Sequence, residues 1–84
     1  MTRYLVELRP QAVKHLRELN TKDQLRIVGA IELLSENPLP PKSLKLKGRG
    51  GYRIRVGNFR IIYTFNSTQL IILIVDIAHR REVY

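Results

Sequence analysis

Residues 52–63, YRIRVGNFRIIY, place three guanidinium groups on one short segment. Arg53 and Arg55 alternate with Tyr52, Ile54 and Val56, and Arg60 follows Phe59 across Gly57-Asn58. A two-residue Gly-Asn link between β-forming runs is a hairpin signal. With Gly57 and Asn58 as the turn, Val56 faces Phe59 and Arg55 faces Arg60, and Arg53 shares that face one pleat away. Like charges directly opposite each other destabilise a sheet. A merely solvated face would tolerate Thr, Glu or Lys of mixed sign. Three guanidiniums present planar donors suited to phosphate oxygens, so a phosphate site is the chemistry these residues imply.

The charge around the hairpin points the same way. Fifteen Lys and Arg against seven Asp and Glu give a formal net charge of +8. No acid occurs between Glu36 and Asp76, while Lys42, Lys45, Lys47 and Arg49 join the three hairpin arginines inside that window. A polyanion is the expected partner, either nucleic acid or an acidic protein. Lys42, Lys45, Lys47, Arg49 and Arg81 are the expected non-specific phosphate contacts.

The C-terminal run DIAHRREVY adds His79, Arg80 and Tyr84. Their relation to the arginine face depends on the turn near Ser67. An even-length loop sets Val75, Ile77 and His79 on the face of Arg60; an odd-length loop sets Ile74, Asp76, Ala78 and Arg80 there. The residue pattern leaves both parities open.

These groups need elements to position them. Residues 3–10 read as one strand ending at Pro10. Residues 10–19 begin with Pro at a helix-start position and carry Val13, Leu16 and Leu19 as a short apolar stripe. Residues 21–37 open with Thr21 as N-cap and Asp23 in the first turn, then repeat Leu25, Val28, Ile31 and Leu34 at helical spacing. Their short link at Asn20-Thr21 makes the two helices an antiparallel hairpin. NPLPPKS (37–43) is a loop, and LKLKGRGG (44–51) reads as a basic segment made flexible by its glycines. Residues 52–56, 59–66 and 69–78 read as strands, the last too apolar for an exposed edge. The order β-α-α-β-β-β predicts an α+β domain over 1–84, with the helical hairpin on one face of a small, antiparallel-rich sheet and the other face free to bind.

Composition excludes several chemistries. There is no cysteine, so thiolate catalysis and Cys-based zinc are out, and a reducing cytoplasm is the expected compartment. No His/Cys/carboxylate cluster suits a metal, and no phosphate-binding glycine loop is present. The segment TRYLVELRP lacks a signal-peptide pattern, and LIILIV is too short to span a bilayer. No cofactor, metal or membrane partner is expected.

The pattern A-x-K-x-L…I-x-x-x-I-x-x-L-x-x-N-P…L-x-G…Y-R-I-R-V-G-x-[FY]-R-x-x-Y…H-R-R-x-V-Y resembles the RelE/ParE toxin superfamily of toxin–antitoxin systems, and the RelE branch more than the ParE branch. It runs from Ala12, Lys14 and Leu16 through residues 27–38, Leu46, Gly48 and residues 52–63 to residues 79–84. The resemblance implies a RelE-like fold and an endonuclease that cuts mRNA in the ribosomal A site without metal, by attack of the ribose 2′-OH on the adjacent phosphate. It implies an acidic, RelB-like antitoxin, with the 70S ribosome and mRNA as the other partners. Arg53, Arg55, Arg60, Arg80 and Tyr84 are the matching positions. Two departures stand out: well-known RelE toxins carry lysines at the positions of Arg53 and Arg55, and the turn here is shorter; many members also extend past the tyrosine into a last helix.

The residues support that chemistry independently. RNA carries its own nucleophile, so the protein must stabilise phosphate charge and move protons. Guanidiniums do the first well and the second badly. Tyr84, whose phenol nearby guanidiniums would make more acidic, and His79, as an imidazole, are the proton-transfer candidates. Tyr84 or Phe59 could also stack on a base. A ParE-like DNA gyrase inhibitor and an inactive basic domain that only binds its antitoxin are the alternatives.

Overall fold

The computed structural model describes residues 3–79; Arg80, Arg81 and Tyr84 lie outside the described residues. The chain runs β1 (Leu5–Leu8), α1 (Pro10–Arg17), α2 (Thr21–Glu36), β2 (Leu44–Lys45), β3 (Tyr52–Val56), β4 (Phe59–Asn66) and β5 (Ile71–His79). The five strands form one sheet in the order β1-β5-β4-β3-β2. β1 pairs parallel with β5 and the other neighbours are antiparallel, giving the expected α+β architecture with an antiparallel-rich sheet.

The helix boundaries follow from capping chemistry. Pro10 opens α1, where its missing N–H costs nothing. The cap of α2 is Asn20, not Thr21: the Asn20 side chain accepts from the Asp23 backbone N–H at 2.8 Å. Gln24 then donates its Nε2 to the Leu16 and Leu19 carbonyls at 3.1 Å, satisfying acceptors at the end of α1 and closing the helical hairpin.

The core forms where one helical face meets one sheet face. Ala12, Ile27, Ile31 and Leu34 pack on Ile54, Ile61, Tyr63, Ile72, Ile74 and Ile77. The stripe on α2 is rotated from the expected one. Ile27, Ile31 and Leu34 are buried, whereas Leu25 is 69% and Val28 41% exposed. The 25-28-31-34 spacing follows threefold periodicity, and Ile27 with its i+4 partner Ile31 faces the sheet instead. As expected, β5 lies inside the sheet, between β1 and β4. Among the described residues no helix is long and apolar enough to cross a membrane.

The basic segment after the prolines is not simply flexible. Leu44 and Lys45 add a fifth strand, paired with Arg53 and Tyr52, and the Leu46 N–H donates to the Gly51 carbonyl at 3.0 Å. Gly51 permits this return: its φ is 110°, and a Cβ there would stand 3.0 Å from the Tyr63 carbonyl oxygen.

Candidate nucleic-acid interface

The hairpin has the register its sequence implies. Val56 faces Phe59, Arg55 faces Arg60, and Arg53 faces Ile62. Gly57 takes a φ of 59°, the positive value required at the first residue of a tight hairpin turn. A Cβ at Gly57 would meet Nη1 of Arg26 at 3.1 Å, so the Arg26 side chain reaches from α2 to the turn. Ile54 and Ile61 point to the helices, so the alternation turns Arg53, Arg55 and Arg60 to the opposite face.

The parity near Ser67 has a mixed outcome. Arg60 faces Ala78 and Ile62 faces Asp76, which matches the odd-loop alternative at this end of β5. A bulge then intervenes, because Tyr63 faces Ile74 and Val75 is the extra residue. Ile74 therefore returns to the helix-facing core. His79 lies opposite Phe59, with ring centroids 5.3 Å apart in an edge-on contact. Phe59 packs partly buried against the core, so His79 and Phe59 belong to the face turned away from Arg60.

Two clefts adjoin the arginines. One, of about 480 Å³, is lined by Leu44, Lys45, Leu46, Lys47, Arg49, Arg53 and Arg60. The other, of about 100 Å³, is lined by Lys42, Leu44, Arg53, Ile54, Arg55 and Arg60. Arg53 and Arg60 are common to both. The basic segment and the hairpin, read separately in the sequence, are thus walls of one site, and β2 is the element that joins them. Arg60 Nε is buried and meets no hydrogen-bond acceptor among the described residues. A buried guanidinium nitrogen left unpaired is costly, and an anionic oxygen would relieve that cost.

One polar pair has no counterpart in the sequence reading. His15 Nδ1 lies 2.6 Å from Asp76 Oδ1, joining α1 to β5, and the same oxygen accepts from the Ile77 N–H at 2.8 Å. The Asp76 side chain is only 9% exposed. The signal for it was a lone acid in an apolar strand, since a buried carboxylate requires partners.

The loop that carries Lys42 is pinned. Tyr63, fully buried, donates its hydroxyl to the Pro38 carbonyl at 2.6 Å. Burial raises the Tyr63 pKa above that of an ordinary phenol. Ser43 donates both its N–H, at 2.9 Å, and its hydroxyl, at 2.8 Å, to the Pro40 carbonyl.

Fold and cleft together define the class: a small α+β domain with two helices on one sheet face and a strongly basic cleft on the other. The family model described as the ParE toxin of type II toxin–antitoxin systems matches residues 6–84. A relative from Methanocaldococcus jannaschii, named for a RelE-type toxin, is 30% identical over 86 residues, covering 98% of this chain and 96% of the relative. The crystal structure of an archaeal RelE–RelB complex from Pyrococcus horikoshii has a chain of similar fold. The TM-score is 0.81 and the identity 29%, over 99% of this chain and 100% of that one. A chain of the RelBE2 toxin–antitoxin complex from Mycobacterium tuberculosis also gives a TM-score of 0.81, at 25% identity, over 93% of this chain and 99% of that one. The chain belongs to the RelE/ParE superfamily, the toxins of type II toxin–antitoxin systems.

Proposed function

We propose that this toxin is a ribosome-dependent mRNA endonuclease that cuts by attack of a ribose 2′-OH on the adjacent phosphate, with Arg53, Arg55 and Arg60 stabilising the charge that develops on phosphorus oxygens. The observation that carries this reading is that Arg53, Arg55 and Arg60 line a single cleft together with Lys42, beside the larger basic cleft lined by residues of the 44–49 segment with Arg53 and Arg60. A pentavalent phosphate gains negative charge as it forms, and preorganised cationic donors lower that barrier. Lys45, Lys47 and Arg49 hold the flanking phosphates. Arg80 and Tyr84 remain proposed members of the site, and Arg81 a proposed phosphate contact, on the strength of the family pattern. His79, placed with Phe59, is the weaker proton-transfer candidate. An acidic antitoxin of the RelB kind is the proposed partner. The +8 charge supports this, as do the exposed Leu5, Leu25 and Leu33 on the protein's surface.

Single-turnover cleavage of mRNA on programmed ribosomes tests the reading. Arg60→Ala or Arg53→Ala should lower the rate about 10²-fold or more, the scale of a lost transition-state donor, with a much smaller change in ribosome affinity. Full activity in both variants would leave the hairpin as a docking surface only. The match to the ParE model favours one second reading, inhibition of DNA gyrase. Induced expression separates the two, since the endonuclease stops translation and the gyrase inhibitor stops replication with an SOS response.

A further inference from the structure

RNA cleavage by the 2′-OH needs a proton delivered to the departing 5′-oxygen, and guanidiniums do not release protons in proteins. The smaller cleft therefore poses a chemical question. Three of its lining residues are the arginines, and Leu44 and Ile54 are apolar. The remaining one is Lys42. A primary ammonium can give up a proton to an alkoxide, which a guanidinium does poorly.

We infer that Lys42 is the general acid of this site. The inference rests on the proposed endonuclease reading and adds a role to it. In the step, the 2′-oxygen bonds to phosphorus and its proton passes to water. The bond from phosphorus to the 5′-oxygen breaks, with its electron pair staying on that oxygen. Lys42 Nζ donates a proton to the same oxygen. The products are a 2′,3′-cyclic phosphate, a 5′-hydroxyl and a neutral amine, which regains its proton from the hydronium formed in the first transfer.

The fold supports this role in two further ways. The loop bearing Lys42 is held at its start by the Tyr63 hydroxyl on the Pro38 carbonyl and at its end by Ser43 on the Pro40 carbonyl. An acid must be held within hydrogen-bonding reach of its target, and a pinned backbone limits how far the lysine stem must search. The pairing of Leu44 with Arg53 then sets the segment beside the hairpin arginines. Lys45 and Lys47 line the larger cleft and not the small one, where Arg55 joins Arg53 and Arg60. The position of Lys42 thus supplies what the hairpin arginines lack.

The test uses the full chain and single-turnover cleavage on programmed ribosomes, with two mRNAs. One is ordinary; the other carries sulfur in place of the bridging 5′-oxygen at the scissile position, a leaving group that departs without protonation. Lys42→Arg keeps the charge but cannot transfer the proton. On ordinary mRNA it should cleave about 10²-fold more slowly than the parent, with ribosome binding and melting temperature unchanged. On the sulfur substrate the two proteins should cleave at similar rates. A parental rate for Lys42→Arg on ordinary mRNA overturns the inference and leaves the endonuclease reading standing. An equal loss on both substrates overturns it as well, because the lysine would then be acting by placement or charge. If the parent protein cuts neither mRNA, the endonuclease reading itself fails and the acid role falls with it.

Discussion

Tyr63→Phe isolates one hydroxyl whose structural work reaches the cleft. The ring is fully buried and its hydroxyl donates to the Pro38 carbonyl at 2.6 Å. Phe keeps the ring packing and leaves that carbonyl without its donor. Leaving a buried acceptor unsatisfied costs about 1–3 kcal/mol. For a domain of this size each kcal/mol shifts the melting temperature by roughly 4–8 °C, so a fall of about 5–15 °C is expected. The pH dependence supplies a second check. Burial raises the Tyr63 pKa, so its phenol stays protonated in the fold at pH values where the unfolded chain already ionises. The contribution is therefore complete below the ordinary phenol pKa of about 10 and is lost as pH rises through the higher folded value. The stability gap between parent and Tyr63→Phe should be constant up to about pH 10 and narrow above it. Chemical denaturation across pH 7–11 would measure this. A gap under about 0.5 kcal/mol at neutral pH, or one that does not narrow in alkali, would refute the reasoning. Because the same bond anchors the loop that carries Lys42, cleavage should fall alongside stability.

Arg55→Thr removes one of two guanidiniums facing each other across the hairpin. It should leave the melting temperature equal or slightly higher while cleavage drops, and a fall of several degrees would count against the repulsion. His15→Ala strips a 2.6 Å partner from the buried Asp76 carboxylate and should cost about 1.5–3 kcal/mol by denaturant titration. In the Asp76→Asn background the same change should cost clearly less, and an equal cost would show that the pair is not coupled. Replacing Lys42, Lys45, Lys47 and Arg49 together by Ala should weaken ribosome binding and flatten its salt dependence, by roughly one unit of slope per lost phosphate contact. An unchanged slope would remove this segment from the docking surface.

Local chemistry determined a good part of this protein before any tertiary contact. Gly57-Asn58 set the hairpin register, and with it the placement of Arg55 opposite Arg60, because a two-residue turn allows one pairing. The unbroken basic window from Lys42 to Arg60 supplied the cations that line the cleft. Proline at the start of α1 and the apolar run of β5 located a helix and an inner strand. Other features depended on partners far away in the chain. The bulge at Val75 decided which β5 side chains share the face of Arg60, and strand alternation alone does not show where an extra residue is absorbed. The rotation of α2 toward Ile27 and Ile31 was decided by the sheet it meets, since its sequence offers apolar residues on more than one face. The His15–Asp76 pair spans 61 positions and exists only because α1 packs beside β5. Leu44 and Lys45 became a strand because β3 offered an unpaired edge, and that pairing brought two basic segments into one cleft. Short-range chemistry thus specified the charges and their local spacing, while backbone hydrogen bonding between distant segments decided which charges meet.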